Sequence, residues 1–134
     1  MSRPIAREAA MQLVFEQIFG GEGETQTLVD LIDYNPDGND QGYIDTVVNG
    51  VREHAVELDT QIASCLRGWS ISRLSRVDLA ILRLAVFEMK YTDLPAAVAI
   101  NEAVELTRKY SQEESCSFIN GVLGTISRKM SAQA

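Results

Sequence analysis

Residues 79–89 (LAILRLAVFEM) carry only two charged side chains, Arg83 and Glu88, and their apolar residues fall on almost every side of a helical wheel. A helix built from them has no face to give to water, so it has to lie at the centre of the molecule with other helices around it. The rest of the chain supplies those helices. Apolar residues recur at steps of three and four along most of its length and hardly ever alternate in twos. The reading is an all-α fold, a short-loop bundle of six or seven helices. Its 134 residues form one domain, with an N-terminal helical group over about 1–67 and a C-terminal group over about 69–130.

Punctuation residues place the elements. Ser2 and Pro4 start a first helix with Ile5, Ala9 and Leu13 inward and Phe15 and Ile18 as further inward candidates, and Gly20-Gly21 end it. Thr25 caps a short second helix, followed by the turn formers at 35–39 (NPDGN). A long third helix runs from Asp40 towards Arg67 with a stripe of Ile44, Val47, Val48, Val51, Ala55, Leu58 and Ile62, and Gly68 stops it. Trp69, Ile71 and Leu74 belong to a short helical turn. Ser75 and Asp78 have capping-box spacing at the start of the central helix, and Ser111 with Glu114 repeats that spacing before a last helix. Pro95 opens the helix between them, and fraying is expected beyond Met130.

Enzyme chemistry finds no support. Cys65 and Cys116 lie far apart with no second cysteine or histidine at ligand spacing, so neither a disulfide nor a metal site is expected, and no cofactor. Gly20-Gly-Glu-Gly23 lacks the strand before it and the lysine after it that a phosphate loop needs. His54 has no patterned base or nucleophile near it and reads as a helix-flank residue. The pairs Glu102/Glu105 and Glu113/Glu114 read as ordinary helix-surface acids. No secretory leader and no run of about 18 apolar residues is visible, so a cytoplasmic protein is expected.

The net charge of −7 is distributed unevenly: residues 1–66 hold three basic side chains against twelve acidic ones, and residues 67–134 hold nine against seven. Any contact with nucleic acid must therefore come from a local patch. Candidates are Arg3 and Arg7, one turn apart on the first helix, and Arg108 and Lys109 with Tyr110 and Phe118 nearby in sequence. Arginines bind phosphate bidentately and aromatics stack unpaired bases. The same residues also suit a helix C-terminus or a core. Asn101, between Ile100 and the Ala103/Val104 pair, reads as a packed amide tying helix ends together. Asn120-Gly121 in mid-helix reads as a site of close helix approach.

Beyond these patterns, the chain resembles the NusB family of bacterial antitermination factors. The likeness is carried by residues 73–89, by 93–111 (DLPAAVAINEAVELTRKYS) and 118–123 (FINGVL), and more weakly by 6–10 (AREAA) and 43–51 (YIDTVVNGV). The resemblance implies two roughly perpendicular three-helix groups, no enzymatic activity, and a partner, NusE, a ribosomal small-subunit protein. With it the family recognises boxA RNA and helps the RNA polymerase elongation complex read through terminators, notably in ribosomal RNA operons. Carried over by position, it implies RNA contacts for Arg3, Arg7, Glu114 and Phe118, and partner contacts for Phe15 and Asp78. The first helix is thinner in arginine than the family pattern, which favours an RNA surface completed by NusE. Alternatives are an interaction module with weak or no RNA binding of its own, and a homodimer that buries the first helix.

Overall fold

The computed structural model describes residues 3–20, 38–68 and 70–133. They form α1 (Arg3–Ile18), α2 (Gly38–Glu53), α3 (Ala55–Ala63), a 3₁₀ turn (Ile71–Arg73), α4 (Arg76–Tyr91), α5 (Ala96–Tyr110) and α6 (Ser115–Gln133). No strand occurs among the described residues, and none of their helices is long and apolar enough to cross a membrane. The short helix expected after Thr25, most of the turn at 35–39, and Trp69 lie outside the described residues.

The apolar helix is central, as its composition demands. α4 buries Leu79 through Leu82, Leu84 through Met89 and also Asp78, and it packs against α1, α2, α3, α5 and α6. Each fully buried aliphatic side chain contributes about 1.5–3 kcal/mol. One continuous core joins Ala10, Leu13 and Val14 of α1, Ile44 and Val51 of α2, Leu58 and Ile62 of α3 and Ile119, Leu123 and Ile126 of α6 around it. α1 runs antiparallel to α4: Arg7 near its start meets Glu88, and Phe19 just beyond its end meets Arg76. Gly20, at φ +90°, lets the chain leave α1.

Several local readings are corrected. The long third helix bends at His54 into α2 and α3. His54 sits at φ −105°, ψ 17°, and its ring stacks on Tyr91 of α4 at 4.4 Å. Phe87 fills the space beside Gly50, where an added Cβ would lie 2.3 Å from the ring, so close helix approach is needed here and not at Gly121. Gly121 and Asn120 are exposed, because α6 turns Cys116, Ile119, Val122, Leu123 and Ile126 inward. Asn101 is exposed for the same reason: the inward face of α5 is Ala99, Ala103, Leu106 and Thr107, about 200° round the helix from it. Ile5 is also exposed, at nearly half of its surface. Only the cap at α4 forms, with the Asp78 N–H donating to Ser75 Oγ at 3.1 Å. Ser111 instead closes α5, its N–H donating to the Thr107 carbonyl, and α6 continues to Gln133.

Candidate nucleic-acid interface

The N-termini of α4 and α6 meet across a cleft of about 330 Å³ lined by Arg73, Leu74, Ser75, Asp78, Glu114, Ser115 and Phe118. Three residues singled out in sequence, Asp78, Glu114 and Phe118, thus share one site although 40 positions separate the first from the last. Phe118 packs against the core and is partly buried, and Glu114 is exposed at the rim. Asp78 is buried at the floor. Its Oδ1 accepts no hydrogen bond from the described residues, leaving one charged acceptor unsatisfied at the start of a helix whose dipole favours it.

Arg73 and Ser75 complete the cleft. Arg73 is exposed and forms no ion pair with any described residue. Its signal in sequence was the lack of an acid three or four positions away, unlike Arg108 with Glu105. On the other flank of the α4 N-terminus, Phe15 lies edge-on to Phe19, and the Arg76 guanidinium sits 4.9 Å from the centre of the Phe19 ring. Phe19 is 60 % exposed, so Phe15 borders a surface with an exposed aromatic and a cation that the sequence reading did not single out, while Asp78 lies in the cleft with Phe118.

The N-terminal arginines separate. Arg7 is buried, with Nε and Nη2 donating to the two carboxylate oxygens of Glu88 at 2.9 and 3.0 Å and Nη1 donating to Glu102 at 3.2 Å. Burial alone would lower its pKa, but the Glu88 hydrogen bonds and the surrounding negative charge outweigh that and hold it above the ordinary value. All three guanidinium nitrogens are engaged inside the protein. Arg3 remains partly exposed, against Asp40 and the ring of Tyr43. The other basic pair is neutralised locally: Arg108 pairs with Glu105 and Glu113, and Lys109 donates to Glu8 at 2.8 Å. Tyr110 also donates to Glu8. No cluster of metal-ligating side chains occurs among the described residues.

A model of the NusB family matches residues 4–128. The chain is similar to the transcription antitermination protein NusB of Acetivibrio thermocellus, 48 % identical over 94 % of this chain and 88 % of that protein. It is also similar to the protein of the same name from Limosilactobacillus reuteri, 43 % identical over 97 % of this chain and 96 % of that one. Among solved structures, NusB of T. maritima superposes with a TM-score of 0.86 at 32 % identity, covering 96 % of this chain and 92 % of that one. A chain from a structure of the antitermination factors NusB and NusE with double-stranded RNA superposes at 0.83 with 26 % identity, covering 96 % and 99 %.

Proposed function

Because the chain belongs to the NusB family of transcription antitermination proteins, we propose that it pairs with NusE and with it recognises boxA RNA, promoting read-through by RNA polymerase, notably in ribosomal RNA operons. The observation that carries this reading is the cleft between the α4 and α6 N-termini. It offers a single-stranded RNA a partly buried ring in Phe118 for stacking, an unpaired guanidinium in Arg73 for a phosphate, and an acceptor in Glu114 for a base edge. Beside it, Phe15, Phe19 and Arg76 form a surface for NusE, whose contact would extend to Asp78 at the cleft floor.

The division of labour follows from charge. With Arg7 buried and Arg108 and Lys109 paired to acids, the cations that remain have to attract a polyanion against a net charge of −7. RNA affinity of the protein alone is therefore low, and NusE supplies the rest of the surface. The function is one of binding, in the cytoplasm, with no catalytic step.

The test is a fluorescence-anisotropy titration of boxA RNA with this protein, with NusE, and with the two mixed, against a scrambled RNA at fixed salt. Tight, sequence-dependent binding chiefly in the mixture is the expected result. No binding and no synergy would overturn it and leave an interaction module.

A further inference from the structure

Tyr43 touches both N-terminal arginines. Its ring centre lies 4.3 Å from the Arg3 guanidinium carbon and 5.5 Å from that of Arg7, and its hydroxyl donates to Glu88 Oε1 at 3.1 Å. Glu88 in turn holds Arg7. The two arginines thus meet on one ring with opposite fates: the Arg7 side chain is 7 % exposed and the Arg3 side chain 39 %. Arg3 Nε lies 3.5 Å from Asp40 Oδ1, and its two terminal nitrogens form no hydrogen bond with a described residue.

Resting on the RNA-binding reading above, we propose that Tyr43 and Asp40 form a platform that presents the terminal nitrogens of Arg3 to a backbone phosphate of single-stranded RNA, and that Arg7 acts on RNA only by holding that platform. A guanidinium lying on an aromatic ring keeps its in-plane N–H groups free, and those are the groups that grip a phosphate with two parallel hydrogen bonds. A side chain already held in place also loses less rotamer freedom when RNA arrives. Asp40 sets the rotation about the stack by engaging the Nε side, leaving the opposite edge for the ligand. Tyr43 is fixed by Glu88, and Glu88 by Arg7, so a buried ion pair determines where a surface arginine points. Arg7, Tyr43 and Asp40 are on this account positioning residues, and Arg3 is the contact.

The experiment is the same anisotropy titration with boxA RNA and saturating NusE, run at several salt concentrations for wild type, Arg3→Ala, Arg3→Lys, Tyr43→Phe, Tyr43→Leu and the Arg3→Ala/Tyr43→Leu double variant. Arg3→Ala should bind several-fold more weakly, with the salt dependence shallower by about 0.7, the share of one phosphate on a single strand. Arg3→Lys keeps the charge but has no plane to stack, and should lose most of the same affinity. Tyr43→Phe keeps the ring but loses the hydroxyl bond that ties it to Glu88, and should bind more weakly than wild type and more tightly than Tyr43→Leu. Tyr43→Leu should match Arg3→Ala, and the double variant should be no weaker than either. Wild-type affinity in Arg3→Lys, or additive losses in the double variant, would overturn the platform. Should Tyr43→Leu fail to fold, Arg3→Lys decides alone, since it lies at a partly exposed helix end. No binding by wild type with NusE overturns the RNA reading itself and the platform with it; wild-type binding with an indifferent Arg3→Lys overturns the platform only.

Discussion

Arg7 and Glu88, 81 positions apart in sequence, form a two-pronged ion pair at 2.9 and 3.0 Å with both side chains less than a tenth exposed. The pair fastens the start of α1 to the end of the central helix, and Glu102 and Tyr43 extend it to α5 and α2. Removing one partner of such a pair leaves a buried charge and costs about 3–5 kcal/mol. Arg7→Ala is therefore expected to lower the melting temperature by roughly 10 °C or more. A melting curve like that of wild type would show that the pair is not holding these helices together.

Gly50 and Gly121 should respond to alanine in opposite directions. At Gly50 the new Cβ meets Phe87, whose ring is hemmed in by Tyr91 and His54, and overpacking of this kind costs about 1–3 kcal/mol. At Gly121 the methyl group meets nothing within 4 Å and gains helix propensity, worth about 0.5–1 kcal/mol. Thermal melts of the two variants should fall on either side of wild type; a loss at Gly121 would indicate a close neighbour there after all.

Glu8 makes the α1–α5 contact acid-sensitive. Burial pushes its carboxyl up, but the Lys109 and Tyr110 hydrogen bonds and the Lys109 charge prevail and hold it below the usual carboxylate range. A folded-state pKa below the unfolded one means that this stabilisation is fully present above the ordinary value of 4.5 and is lost as pH falls through the lowered folded value. Glu8→Gln should be less stable than wild type at pH 7, and the gap between their melting temperatures should narrow below about pH 4. A gap that does not change with pH would mean that the carboxylate charge contributes nothing to this contact.

What could be read in sequence and what could not divide along a physical line. The all-α fold and the central α4 were legible because an apolar surface that cannot face water leaves few choices. Burial direction on the flanking helices was harder. Asn101 and Gly121 sit among apolar residues in the chain, yet a rotation of 200° or less puts them in solvent, and neighbours in sequence do not fix that rotation. Pairing was harder still. Nothing local marks Arg7 as Glu88's partner, and an arginine near an exposed helix start reads as a surface charge until the fold closes over it. Phe118, Glu114 and Asp78 were picked by resemblance to a family; that they line one cleft with Arg73 emerges only from the packing of α4 against α6.

Phe118 is expected to matter more to RNA than to the fold. Stacking on a side chain is worth about 1–3 kcal/mol per base, so Phe118→Ala should weaken boxA binding by the protein–NusE mixture about 10- to 100-fold. The side chain is only partly buried, so the melting temperature should drop by only a few degrees. Unchanged affinity in the anisotropy titration would remove Phe118 from the RNA surface.

Asp78 separates the two halves of the proposed site. Its buried Oδ1 has no hydrogen-bond donor among the described residues, a state that costs stability in the free protein and is relieved when a donor arrives from outside. If NusE brings that donor, the bond is charge-assisted and worth about 1.5–3 kcal/mol. Asp78→Asn keeps the shape and the Ser75 cap but removes the charge, so NusE should bind roughly tenfold or more weakly while the melting temperature stays within a few degrees of wild type. RNA binding should then fall at limiting NusE and recover at saturating NusE, because the variant weakens the pair and leaves Phe118 and Arg73 untouched. Titrating NusE by calorimetry and RNA by anisotropy on the same variant checks both halves. Normal NusE affinity together with an RNA loss that saturating NusE does not restore would move Asp78 from the partner surface to the RNA cleft.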